Sequence, residues 1–172
     1  GKQTHGAIPW AGVDPIVTAS QVVLGLQTIV SRQLDATLPP SIVPVRRIEG
    51  GVRNNIIPES VELEGTIRTF DAATRIDIHK RIRRTATNIA EAAGATADVV
   101  IDQGYGVTRN DPELLRQMSP TLEKVAGDRF REAPQTATAE DFSYFAKEVP
   151  GLFLFLGVAS DDPTLVHPNH SP

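Results

Sequence analysis

Residues 50–71 read GGVRNNIIPESVELEGTIRTFD, and the fold of the surrounding chain follows from how this stretch is read. Its first half, Gly50 to Ser60, is rich in Gly, Asn and Pro, the residues of turns. In its second half Val61, Leu63, Gly65, Ile67 and Thr69 alternate with Glu62, Glu64, Thr66, Arg68 and Phe70. A period of two predicts a half-buried strand. It also sets Arg68 on the face opposite Val61, Leu63 and Ile67, looking away from the core. Asp71 is placed to cap a helix over the following residues, with Ile78, Ile82, Ala86, Ile89 and Ala93 on one side and Gly94 as its stop.

Working outward, residues 96–106, TADVVIDQGYG, predict a further strand. On the other side, IVPVRRI at 42–48 reads as a strand with Pro44 near an edge. Before it, Asp14-Pro15 is a helix start, because Asp accepts from free first-turn N–H groups and Pro needs no donor there. Ile16, Ala19, Val23, Leu26 and Val30 give that helix an apolar stripe, ending ahead of LPPS at 38–41. With Gly1 to Gly6 as the tail of a first strand, residues 1 to about 108 read β-α-β-β-α-β. That is a ferredoxin-like unit with both helices on one face and the opposite face free.

A boundary is expected near residue 109. Asn110-Asp111-Pro112 starts a new helix carrying Leu114, Leu115, Met118, Leu122 and Val125, with Ser119-Pro120 expected to kink or divide it. Thr138-Ala-Glu-Asp141 has the form of a capping box and predicts a short helix over 140–149. The apolar run LFLFLG at 152–157 suits a strand covered on both faces in an α/β sheet. Residues 110–172 offer it too few neighbours, so they are expected to close a larger sheet, and a chain opening on Gly1 without Met is expected to be the inside of a longer enzyme. The fold class predicted is α/β: a ferredoxin-like βαββαβ domain over 1–109, then the C-terminal part of a larger α/β domain over 110–172.

The 172 residues include no Cys, which excludes a disulfide framework or a thiolate metal site and favours a reducing, cytoplasmic setting. A net charge of −4 leaves no basic stripe for nucleic acid. An RNA-reading sheet of this topology would need aromatic platforms that Phe70 alone does not supply. The longest apolar run is far short of the ~20 residues that cross a bilayer, and no signal-like leader opens the chain. Neither a nucleic-acid nor a membrane partner is expected.

Four histidines are candidates for chemistry. His79, beside Lys80 in the basic part of the second helix, reads as a solvated surface group. His5, followed by Gly6, Ala7 and Pro9, is either a loop residue packed under Trp10 or an imidazole on a rigid corner able to donate to an oxyanion. His167 and His170 fall in VHPNHSP, a loop after the apolar strand, where ligands gather in open α/β sheets. Polar surface is the alternative. Asn55 and Arg68 together would suit a carboxylate, Arg offering a two-pronged fork and Asn a further donor. Alternatively Asn55 shapes its turn and Arg68 pairs with Glu62 or Glu64. Arg46, Arg47 and Arg53 read as a solvated charge cluster.

GKQTHGAIPWAGVDPI, GGVRNNIIPESVELEGTIRTFD, AEDFSYFAKEVPGLFLFLG and the terminal NHSP follow one another in the same order as four motifs of the metal-dependent amidohydrolase, aminoacylase and carboxypeptidase family, the twentieth metallopeptidase family. The chain resembles its hippurate-hydrolase and auxin-conjugate-hydrolase branch from Gly1 to Pro172. The resemblance implies a lid and dimerisation domain inserted in a catalytic domain that binds two divalent metal ions, zinc or manganese, cobalt or nickel. It implies that His5 steadies the tetrahedral oxyanion, commonly in the partner subunit. Asn55 and Arg68 would hold the substrate carboxylate or assist at the scissile carbonyl, and His170 would be a metal ligand, while His167 has no matching role. The family's remaining metal ligands and Glu general base would lie upstream, so the resemblance implies a homodimeric hydrolase of N-acyl amino acids or peptides of which this chain alone is inactive. The alternative is a non-catalytic ferredoxin-like dimerisation or small-ligand-binding module.

Overall fold

The computed structural model describes residues 1–159 together with Asp162, Thr164 and Val166. The chain divides into two compact units, Gly1–Val107 and Thr108–Pro172, and it is a mixed α/β structure with small antiparallel sheets.

The first unit begins with strand β1 (Thr4–His5) and one 3-10 turn at Pro9–Ala11. Helix α1 (Pro15–Thr28) starts as its sequence demands: Asp14 Oδ1 accepts from the N–H of Ile16 at 2.8 Å and of Val17 at 3.3 Å, with Pro15 in the first turn. The buried face of α1 is Pro15, Thr18, Ala19, Val22 and Leu26, continued by Ile29. That is one residue's rotation from the predicted stripe, whose Ile16 and Val30 are exposed. The doublets Val22-Val23 and Ile29-Val30 offer an apolar residue to either face, so helix packing, and not the pattern, decides which is buried.

Strand β2 (Val45–Gly50) pairs antiparallel with β4 (Val61–Gly65), with Arg47 opposite Glu64, Ile48 opposite Leu63, and Gly50 opposite Val61. The predicted strands were longer, and their interruption has a local cause. A register shift falls between Val45 and Arg47. Gly65 passes so near the Pro44 carbonyl that a Cβ would lie 2.4 Å from it. Beyond the break the Thr66 N–H donates to the Pro44 carbonyl at 3.3 Å, and the two segments bridge again at Ile42 and Arg68. The short strand β3 (Ile56–Ile57) pairs not with this hairpin but with β1.

Helix α2 (Ala72–Ala92) is capped by Asp71, whose Oδ2 accepts from the Thr74 N–H at 2.6 Å. It closes at Gly94, which holds φ +71°, while the Ala95 N–H returns to the Ala90 carbonyl. Helices α1 and α2 pack closely: a Cβ on Gly25 would lie 2.6 Å from Ile89 Cδ1. The core lies between them and the sheet, with Ile29 and Ile78 fully buried, Val22, Leu26, Val43 and Ala86 nearly so, and Leu63 and Ile67 closing it from below. The strand predicted over 96–106 forms no ladder, although burial alternates from Ala95 to Ile101 and Ala97 and Val99 pack on the core. Side chains of α2 take up part of its backbone capacity instead, Arg83 donating to the Val99 carbonyl and Arg75 to that of Tyr105.

In the second unit, helix α3 (Pro112–Ala126) is capped by Asp111 through the Leu114 N–H at 2.7 Å. It continues as one helix through Pro120, so of the expected kink or division the division does not occur. Helix α4 (Phe142–Glu148) starts after Asp141, so Thr138 is not its cap. The run at 152–156 forms no ladder among the described residues, and Leu154, Phe155 and Leu156 are exposed. Its backbone is held instead by Asn110, whose Nδ2 donates to the Phe153 carbonyl at 3.1 Å and whose Oδ1 accepts from the Phe153 N–H at 2.7 Å.

Candidate functional site

His5 and Asn55 lie 50 residues apart in sequence and meet through main chain. β1 and β3 pair Thr4 with Ile57 and His5 with Ile56, and the Gly6 N–H then donates to the Asn55 carbonyl at 2.8 Å. Gly6 permits this approach, because a Cβ there would lie 3.3 Å from that oxygen. The Asn55 side chain and the His5 ring are both exposed at this edge. The His5 carbonyl accepts from the Ile8 N–H at 2.9 Å, and its Nδ1 accepts from the Ala7 N–H at 3.0 Å. Trp10 is 80% exposed, so His5 is not buried beneath it.

Arg68 is placed by a different ladder. Its N–H and carbonyl both bond to Ile42, each at 2.9 Å, and it is half-buried. The nearby strand glutamates are engaged by Arg47, which reaches Glu64 at 3.0 Å and Glu62 at 4.0 Å and also pairs with Glu49. These four side chains make one face of the β2–β4 hairpin charged and exposed. Sequence reasoning missed this role of Arg47; the signal was its position across from Glu64 in the hairpin register.

His79 corrects the expectation of a solvated group. It is half-buried on α2, and burial, then the charges of Arg75 and Arg83 one turn to either side, hold its imidazole below the ordinary range. His167 and His170 lie outside the described residues. Among the described residues no three or more His, Cys, Asp or Glu side chains converge on a metal position. A shallow groove of about 470 Å³ lies beside the hairpin, lined by Gln3, Gly51, Arg53, Glu59 and Glu62 among others, but neither His5, Asn55 nor Arg68 forms its wall. His5 and Asn55 are exposed, while Arg68 is half-buried.

The family model of the M20 peptidase dimerisation domain matches residues 1–94. The chain belongs to this family. The matched dimerisation domain runs from β1 to the glycine that closes α2 and includes His5, Asn55 and Arg68. Over 172 residues, 99% of the chain, it is 37% identical to an N-acetyldiaminopimelate deacetylase of Leuconostoc citreum and 33% identical to thermostable carboxypeptidase 2 of Saccharolobus solfataricus, covering 43% of each. The crystal structure of the Bacillus subtilis YXEP protein, described as a dinuclear metal binding peptidase from the M20 family, superimposes with a TM-score of 0.65 at 30% identity, over 81% of this chain and 35% of that one. The chain thus spans less than half the length of the curated relatives it matches.

Proposed function

We propose that the complete polypeptide is a metal-dependent amidohydrolase that cleaves the amide of an N-acyl amino acid or peptide beside a free carboxylate. In this reading residues 1–109 are its lid and dimerisation domain and residues 110–172 the C-terminal part of its catalytic domain. Supporting it are the similarity, over 99% of this chain and 43% of each relative, to a deacetylase and a carboxypeptidase, and the juxtaposition of an exposed imidazole and an exposed amide within the matched domain. That juxtaposition carries the reading, because two polar groups on one rigid backbone edge are what a substrate-facing lid needs.

The described residues do not make a metal site of their own. Two divalent ions, zinc or manganese, cobalt or nickel, would polarise the carbonyl and activate water in this class of chemistry. His170 is the residue proposed to help hold them, with the other ligands and the general base outside this sequence, so the isolated chain is expected to be inactive. The chain's own part is recognition and charge stabilisation. His5 donates to the carbonyl oxygen as negative charge builds there. Arg68 and Asn55 fix the substrate carboxylate.

The polypeptide is proposed to act in the cytoplasm as a homodimer. β2 pairs on one side only among the described residues, and Val17 and Leu24 are exposed on α1. An unpaired edge and an apolar helix face are natural places for a second copy. Light scattering should find a dimer.

The second reading is a non-catalytic ferredoxin-like dimerisation or small-ligand-binding module. The two separate on the substrate carboxylate. Arg68→Ala in the complete polypeptide should raise KM for an N-acyl amino acid roughly tenfold or more, the worth of a charge-assisted bond, and hardly change KM for the corresponding carboxamide. Equal effects on both substrates would remove Arg68 from recognition, and no hydrolysis of either by the metal-loaded polypeptide would favour the module.

A further inference from the structure

We propose that the Ala7 backbone N–H holds His5 in the tautomer whose ring proton sits on Nε2, so that the imidazole serves as a hydrogen-bond donor and not as a base. The tautomer is a property of this chain; only its catalytic consequence rests on the function proposed above.

An imidazole nitrogen accepts a hydrogen bond only through a free lone pair, and a neutral ring carries one N–H. Nδ1 of His5 accepts from the Ala7 N–H at 3.0 Å, so the proton belongs on Nε2. The donors to either side are committed elsewhere, Gly6 to the Asn55 carbonyl at 2.8 Å and Ile8 to the His5 carbonyl at 2.9 Å. The amide between them is therefore held in place. The turn is tied further on, with Ala11 donating to Ile8 at 3.0 Å and Gly12 to Pro9 at 3.1 Å.

A general base needs its lone pair on the nitrogen that meets the substrate. Here the one lone pair is occupied by Ala7, and an N–H is left for the ligand. That polarity suits an oxygen gaining negative charge. Ala7 is then a positioning residue acting through its main chain.

Long-range proton–nitrogen spectra of the complete polypeptide labelled on histidine, at about pH 8, read the tautomer directly. His5 signals are assigned by their loss in His5→Gln. A bare Nδ1, coupled through the hydrogen bond to the Ala7 amide proton, is expected. A proton on Nδ1, or a tautomer mixture equal to that of the denatured chain with no coupling, overturns the proposal. Ala7→Pro should shift the mixture toward the denatured value while Ala7→Gly should not. If Ala7→Pro disrupts the turn, the coupling in the unsubstituted protein decides.

Kinetics read the consequence. Glutamine can donate an N–H but cannot serve as a base. His5→Ala should lower kcat ~10²–10³-fold, and His5→Gln should lose about tenfold less. Equal losses contradict the donor role. If His5→Ala costs nothing, the catalytic reading of His5 fails while the tautomer stands or falls on the spectra.

Discussion

Ile78 is fully buried between α1, α2 and the sheet, among Val22, Leu26, Ile29, Val43 and Ala86. Ile78→Ala removes three carbons. At ~0.8 kcal/mol for each the transfer loss is about 2.4 kcal/mol. Both helices are pinned, α1 against α2 at Gly25 and α2 by its caps, so the hole closes only in part and a cavity contribution raises the total to roughly 3–4 kcal/mol. Ile78→Val should cost about 1 kcal/mol. Ile48, 55% exposed on β2, is the control, and Ile48→Ala should cost less than ~1 kcal/mol. Native-state hydrogen exchange of the α2 core amides suits a protein of more than one unit, because it reports the opening of that region alone. Ile78→Ala should speed it by roughly a hundredfold or more. Exchange in Ile78→Ala within a few-fold of that in Ile48→Ala would refute the placement of the core.

Two further outcomes follow from the same geometry. Asn110→Ala removes both bonds to the Phe153 backbone; opening of the 151–155 segment should become easier by about 1–3 kcal/mol, read from exchange of the Phe153 amide, and unchanged exchange would show that Asn110 does not hold it. His79, held below its ordinary pKa by burial and by Arg75 and Arg83, is more readily protonated unfolded than folded. The unfolded state then binds more protons, so its contribution is present above the unfolded value near 6.5 and is lost as pH falls from there toward the lowered folded value. His79→Gln should flatten the fall in urea stability as pH drops below about 6.5, and an unaltered slope would contradict the burial of His79.

What was legible in the sequence was short-ranged. Asp14, Asp71 and Asp111 cap the helices they precede because an Asp carboxylate reaches the N–H groups two or three residues on. The alternation from Val61 to Gly65 survives as β4 for the same local reason. What depends on neighbours was hidden. The buried face of α1 is selected by α2, and the end of the hairpin by the approach of Gly65 to Pro44. The half-burial of His79 cannot be read from a basic helix seen in isolation. Nor does any local rule bring His5 to Asn55; the family resemblance named both residues, but the ladder that joins them and the Ala7 bond to the ring are features of the folded chain.

The catalytic role proposed for His5 is most directly tested by kcat of the complete, metal-loaded polypeptide carrying His5→Ala, with light scattering on the same sample. A fall of ~10²–10³-fold with the dimer intact is expected. Turnover within twofold of the unsubstituted protein, again with the dimer intact, would contradict the claim that this domain brings a working imidazole to a hydrolytic site.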